Sequence, residues 1–279
     1  MAVKAMVVTD LDGTLFQKDH RISRRNYQTL SDLGEQGVLR VIATGRNLFS
    51  AHKVLPNEFP IDFLIFSSGA GIMAWPRQQI VYSVSLEEEE VSLAFKTLRR
   101  RSLDFMVHRP IPDNHHFVFY SSGQPNPDFE ARCALYRDFA APGRNREVPP
   151  GKACQLVAIE PYHRPTSHYA EIRKELDRLT VVRTTSPLDR RSLWIEIFSK
   201  EVSKAKASIR IIRDQGIRED AVMAIGNDYN DLDLLRWAAR SFVVSDAPGE
   251  LAASFQSVQS GEESDFSEAV ALWQREIVF

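Results

Sequence analysis

The chain has 279 residues, 43% of them apolar and 26% charged, with a formal net charge of −2. These values exclude a disordered chain and make no general case for nucleic acid or an anionic membrane as a partner. Two cysteines, Cys133 and Cys154, are too few and too far apart for a zinc site or a disulfide scaffold. With no apolar run near about 18 residues and no signal-like start, a soluble cytoplasmic protein is expected, as monomer or homodimer.

The first predicted element is a short buried strand, Met6-Val7-Val8, which runs into Asp10-Leu11-Asp12-Gly13-Thr14-Leu15. Two carboxylates two residues apart at a strand end repel one another unless a cation or a shared proton relieves them. Gly13 lets the backbone turn sharply or come close to a ligand. Acid, acid and turn together predict a site for a hard, oxygen-seeking cation and an anionic substrate. A calcium loop is the rival reading, but its acidic third ligand and late bidentate Glu are missing.

Ser23 offers a cap for a helix with Tyr27, Leu30 and Leu33 on one face, stopping at Gly37. A second strand, Val38 to Ala43, ends in Thr44-Gly45-Arg46 and completes a βαβ unit with parallel pairing. Ligands of open parallel sheets sit at the carboxyl ends of strands, where Asp10 and Thr44 both fall. A hydroxyl beside the backbone N–H groups of Gly45 suits a phosphate oxygen. Asn47 is a cap for a helix reaching Val54-Leu55, and the strand Phe63 to Phe66 leads into Ser67-Ser68-Gly69-Ala70.

From about residue 80 the texture changes. The strand Ile80 to Val84, a helix from Glu87 to Arg101, and strands at Phe105–Val107 and Phe117–Phe119 come first. His108, Arg109, His115 and His116 are placed on the connection between those two strands, with no third ligand for a metal. A helix from Asp128 to Phe139, a loop from Pro142 to Gly151 and a strand from Gln155 to Ile159 follow. A helix capped by Thr166, with Tyr169, Ile172, Leu176 and Leu179 on one face, precedes the strand Val181-Val182. The mixture is α+β with antiparallel pairing, read as a domain over 80–186 inserted between 1–79 and 187–279.

The βαβ texture is expected to resume at Trp194 to Ile197. Ser203 caps a helix whose first turn carries Lys204, a placement that opposes the helix dipole and calls for a reason. The buried strand Ala221 to Ile225 ends in Gly226-Asn227-Asp228-Tyr229-Asn230-Asp231, an acidic loop that again points to a cation at the sheet's carboxyl edge. Phe242–Val244, a helix around Glu250 and another from Phe266 to Trp273 close the chain.

The string from Asp10 to Leu15, Thr44-Gly45-Arg46, Val202-Ser203-Lys204 and the loop from Gly226 to Asp231 resemble, in order, the four motifs of the haloacid dehalogenase superfamily. The insertion between the second and third resembles the C2-type cap of its Cof-like branch. The chain departs from the family's pattern at three positions: Ser68 stands for an Asn, Ala205 for a Gly, and Asn227 for the first Asp of the last motif. The resemblance implies a doubly wound, mostly parallel α/β sheet with an inserted α+β cap. It implies a Mg2+-dependent phosphatase acting on a small phosphorylated metabolite, such as a sugar phosphate, through an aspartyl-phosphate on Asp10. Asp12 would then be the general acid and base, with Thr44 and Lys204 holding the phosphoryl group beside Gly45, Arg46 and Ser68. The metal would fall to Asp10, Asp12, Asn227 and Asp231, with Asp228 as the alternative to Asn227. A phosphosugar mutase and a non-catalytic metabolite-binding protein are the other readings of the same pattern.

Overall fold

The structure is a computed structural model that describes residues 5–17, 21–143, 147–261 and 263–276 of the chain. Two compact units emerge. The first comprises Met1–Arg46, Ser50–Tyr82 and Ser203–Phe279, the second Asn47–Phe49 and Ser83–Val202.

The first unit begins with β1 (Ala5–Thr9), α1 (Arg24–Glu35), β2 (Val38–Ala43), the short α2 (Leu48–Ala51), β3 (Phe63–Phe66), β4 (Gly71–Ala74) and β5 (Gln79–Ser83). The second unit then supplies α3 (Glu88–Arg100), β6 (Asp104–His108), β7 (Phe117–Tyr120), α4 (Pro127–Leu135) and β8 (Ala140–Pro142). It ends with β9 (Gln155–Glu160), α5 (Tyr169–Glu175), β10 (Leu179–Thr185) and β11 (Leu193–Ser199). The chain returns to the first unit for α6 (Lys204–Gln215), β12 (Val222–Gly226), α7 (Leu232–Trp237), β13 (Arg240–Val243), α8 (Gly249–Ala252), β14 (Gln256–Ser257) and α9 (Asp265–Gln274).

Among the described residues, the first unit's sheet runs β14-β13-β12-β1-β2-β3-β4-β5. It is parallel from β14 through β3, and β4 pairs antiparallel with β3. This is the doubly wound, mostly parallel α/β sheet that the alternation of strand and helix predicts. Met6, Val8, Val41, Ile65, Ala224 and Val243 pack with Ile211 and Ile212 of α6 and with Leu234 of α7. Burying each such side chain stabilises the fold by about 1.5–3 kcal/mol. The α1 face differs from expectation: Tyr27 is exposed and Asn26 is fully buried. The Asn26 side-chain Oδ1 accepts from both the backbone N–H and the hydroxyl of Ser267, which ties α1 to α9. A buried polar residue whose partner is remote in sequence looks, in the sequence, like a solvent position.

The second unit's sheet, ordered β10-β11-β9-β6-β7-β8, is antiparallel except for β7 with β8. The strand Trp194–Ile197, expected in the first sheet, lies here as β11, between β9 and β10. Ile195 and Ile197 join the cluster with Leu98, Phe105 and Leu156, whereas Trp194 packs with Met106 and Phe129. A strand buried on both faces reads as a continuous apolar run in either kind of sheet, so periodicity does not place it. The unit therefore spans 83–202 rather than 80–186, and β5 remains the edge strand of the first sheet. Leu179 opens β10 instead of extending α5, whose N-cap position is His168 and not Thr166. α4 stops at Leu135 rather than Phe139, β8 takes up Pro142 from the expected loop, and residues 144–146 of that loop lie outside the described residues. The helix expected after Asn47 is a single turn. Among the described residues, no helix is long and apolar enough to cross a membrane.

His108 is the sharpest correction in this unit: it ends β6 as a buried residue, not a loop residue poised for a ligand. Its Nδ1 lies 2.8 Å from the Asn114 carbonyl oxygen, which can only accept, so Nδ1 carries the proton. Burial, with Arg132 adding to it and the Asn114 bond opposing, pushes the imidazole down to about 3. The unfolded chain takes up this proton near its ordinary value and the native chain does not, so stability falls as the pH drops between them. The His108 share of that slope approaches about 1.4 kcal/mol per pH unit. Urea midpoints measured from pH 7 to pH 4 should fall less steeply for His108→Gln than for the parent. Parallel curves would show that His108 is not held neutral.

Candidate active site

The site is built at the carboxyl ends of three neighbouring parallel strands, β12, β1 and β2. Asp10 follows β1 directly, its N–H donating to the Ile225 carbonyl on β12 at 2.9 Å. The next residues fold back tightly: Leu15 N–H donates to Asp10 O at 3.3 Å and Phe16 N–H to Leu11 O at 2.8 Å. Leu11 and Leu15 are buried by this turn, while Asp12 is left partly exposed.

Lys204 enters from the first turn of α6, where the Ser203 hydroxyl accepts from the Lys206 N–H at 3.0 Å and caps the helix. Its side chain is fully buried, and Nζ donates to Asp10 Oδ1 at 2.7 Å and to Asp231 Oδ1 at 2.5 Å. That contact is the reason for a lysine where the helix dipole disfavours one. Burial alone would lower the ammonium's pKa, but Asp10 and Asp231 outweigh it and hold it above the ordinary lysine value. Burial, followed by the charges of Asp231 and Asp12, pushes the Asp10 carboxyl up to about 7 against the pull of Lys204.

Asp231 is held by its own loop. Its Oδ2 accepts from the N–H groups of Asn227 at 3.0 Å and Asp228 at 3.2 Å. A Cβ at Gly226 would stand 2.6 Å from the Asp231 carboxylate, so that carboxylate folds over the strand end because residue 226 has no side chain. Asn227 donates through Nδ2 to the Asp12 carbonyl oxygen at 3.1 Å. Asp228 turns elsewhere, Oδ1 accepting from the Tyr229 N–H at 2.7 Å.

On the other flank, the Thr44 hydroxyl accepts from the Arg46 N–H at 3.1 Å and retains a proton to donate. The Arg46 guanidinium grips Asp12 at both oxygens, Nε to Oδ2 and Nη2 to Oδ1, each at 2.6 Å. Measured from where a Cβ would stand on Gly45, Ser68 Oγ is 3.6 Å and Asn230 Nδ2 3.7 Å away. The Asn230 carbonyl oxygen is buried with no partner among the described residues. Ser67, Ser68 and Gly69 all have positive φ, at 49°, 56° and 105°. A Cβ on Gly69 would lie 2.4 Å from the Ser203 carbonyl oxygen, so this loop abuts the start of α6 backbone to backbone.

Asp10, Lys204 and Asp231 thus meet directly, Asp12 joins through Arg46 and Asn227, and Thr44, Gly45 and Ser68 form the adjoining wall. Asp10 and Asp231 pair with Lys204, and Asp12 pairs with Arg46. Among the described residues, no three His, Cys, Asp or Glu side chains group so as to hold a metal ion. The bidentate Arg46–Asp12 pair, the unpartnered Asn230 oxygen and the fit of Gly69 to α6 were not read from the sequence. Each is a contact between strand ends, and only the residue types were visible in advance.

The model of the haloacid dehalogenase-like hydrolase family matches residues 7–265, and the chain belongs to that family. It is 25% identical over 262 residues to an HMP-PP phosphatase of Klebsiella pneumoniae, covering 90% of this chain and 87% of that one. It is 27% identical over 240 residues to a phosphoglycolate phosphatase of Methanopyrus kandleri, covering 84% and 81% respectively. The solved structure of a sugar phosphatase of HAD subclass IIB has the same fold, with a TM-score of 0.74 at 21% identity over 99% of this chain and 100% of that one.

The Gly69 contact makes a prediction. An Ala there must both adopt an unfavourable φ and displace Ser203, moving Lys204 relative to Asp10. Gly69→Ala should lower hydrolytic turnover by about 10²-fold, the scale of a small misplacement of a catalytic group. A steady-state kcat within a factor of two of the parent would show that α6 does not depend on this contact.

Proposed function

We infer that this chain is a Mg2+-dependent phosphatase that hydrolyses a small phosphomonoester, a sugar phosphate or related metabolite, through an aspartyl-phosphate on Asp10. The observation that carries this reading is the sealed Asp10–Lys204–Asp231 group beside the Thr44 hydroxyl. A nucleophilic carboxylate, a permanent cation and a hydroxyl donor converge at one sheet edge, which a merely ligand-binding protein has no need of.

The residues present fit a single Mg2+ rich in bound water. Asp10 offers its carboxylate, with one oxygen held by Lys204 at 2.7 Å, and Asp12 offers its backbone carbonyl. Asn227 already reaches that carbonyl through its nitrogen, so serving as a ligand requires its amide to turn. Asp231 would complete the set, its Oδ1 accepting from Lys204 at 2.5 Å. The chemistry that Mg2+ supplies when bound is neutralisation of charge between the Asp10 carboxylate and the phosphoryl group.

The chain's own residues then account for the steps. An Asp10 oxygen attacks phosphorus as the bond to the leaving oxygen breaks, and Asp12 gives that oxygen a proton. Lys204 and the Thr44 hydroxyl hold the phosphoryl oxygens through the charge build-up. Asp12 next takes a proton from water, whose oxygen attacks phosphorus and returns Asp10 as a carboxylate. The choice among phosphomonoesters falls to the inserted unit, read as a C2-type cap.

Asp10→Asn should abolish phosphate release from any phosphomonoester the parent turns over, with circular dichroism unchanged. Near-normal turnover by that variant would remove Asp10 from the role of nucleophile. For the metal, Asn227→Asp should lower the Mg2+ concentration that gives half-maximal activity, whereas Asp228→Asn should leave it near the parent's. The reverse pattern would assign the ligand to Asp228.

A further inference from the structure

The role given to Asp12 conflicts with how the structure holds it. Both Asp12 oxygens are engaged by the Arg46 fork at 2.6 Å, so neither is placed to carry a proton to a leaving oxygen. The two cations of the site differ in a way that bears on this. Lys204 is sealed between two carboxylates, with a side-chain exposure of 0%. The Arg46–Asp12 pair is partly exposed, at 20% and 36%, with Nη1 of Arg46 also donating to the Ser50 carbonyl at 3.4 Å, so an incoming anion can reach the fork. Asp12 is released only where another two-oxygen acceptor replaces it on that fork. Arg46 is also anchored where an exchange would be useful. Its N–H donates to the Thr44 hydroxyl and its carbonyl accepts from Ser67 at 2.8 Å, so only the side chain has to move.

We propose that Arg46 is a partner-exchanging residue. Its guanidinium grips Asp12 as seen in the structure, and an incoming phosphoryl group takes the fork over, so that the substrate's own phosphate releases the Asp12 carboxylate, which takes a proton from water and then passes it to the leaving oxygen. A phosphate dianion presents the same two-oxygen edge as a carboxylate and carries more charge, and the planar guanidinium matches either one. Asp12 and phosphate therefore compete for Arg46. The exchange makes Asp12 available where a phosphoryl group has arrived. It rests on the phosphatase reading above.

Competition of this kind is measurable by binding alone. Inorganic phosphate is titrated calorimetrically into the full chain with saturating Mg2+, for the parent, Asp12→Asn, Arg46→Gln and the double variant. Removing the competitor should tighten phosphate binding by about tenfold when Arg46 is present, and by about twofold or less in the Arg46→Gln background, within the range of coupling for contacting residues. Equal tightening in both backgrounds would reduce Asp12 to a nearby negative charge and overturn the exchange, as would no tightening at all. Arg46→Lys, which keeps the charge and loses the fork, stands in if Arg46→Gln does not fold. Its coupling to Asp12 should be smaller than that of Arg46, and equal coupling would overturn the proposal. A folded parent that binds no phosphate would overturn the phosphatase reading first, and the exchange with it.

Discussion

Everything at the site depends on one buried cation. Lys204 sits without solvent between Asp10 and Asp231, and a charge so placed is tolerated only where its partners are fixed. Removing Lys204 would leave two carboxylates in the interior with no cation between them. The group therefore ties the ends of β1 and β12 to the start of α6. Burial raises the Asp10 carboxyl, with the charges of Asp231 and Asp12 adding to it against the pull of Lys204.

Around that group, the backbone is shaped so that polar atoms approach closely. Asp231 folds over Gly226, and the left-handed run Ser67-Ser68-Gly69 presses directly against Ser203. Strained or side-chain-free backbone costs stability that has to be recovered from the packing elsewhere in the sheet. It appears here where Thr44, Arg46 and Lys204 have to be aimed. In the second unit, buried Asp128 accepts from both the Ser186 hydroxyl and the Trp194 indole.

Asn227 and Ser68 depart from the family's residues but keep useful geometry. The Asn227 amide still meets the Asp12 carbonyl, and Ser68 still lines Gly45. Ser68 takes a left-handed conformation at φ 56°, one that an Asn would adopt more readily.

The local arrangement was legible in the sequence. Apolar runs ending in Asp10, Thr44 and the Gly226–Asp231 loop identified three strand ends of a parallel sheet, because such strands are buried on both faces and ligands gather at their carboxyl edge. The dipole-opposing position of Lys204 marked it before any contact was seen. What the sequence could not hold was pairing across distance. It did not show that Asp12 belongs to Arg46, that β11 joins the antiparallel sheet, that His108 is buried, or that Asn26 faces Ser267 rather than water. Residue type and period set which surfaces a segment offers. Which partner each surface meets is decided only when the chain has folded, since desolvation and charge pairing act on neighbours in space and not in sequence.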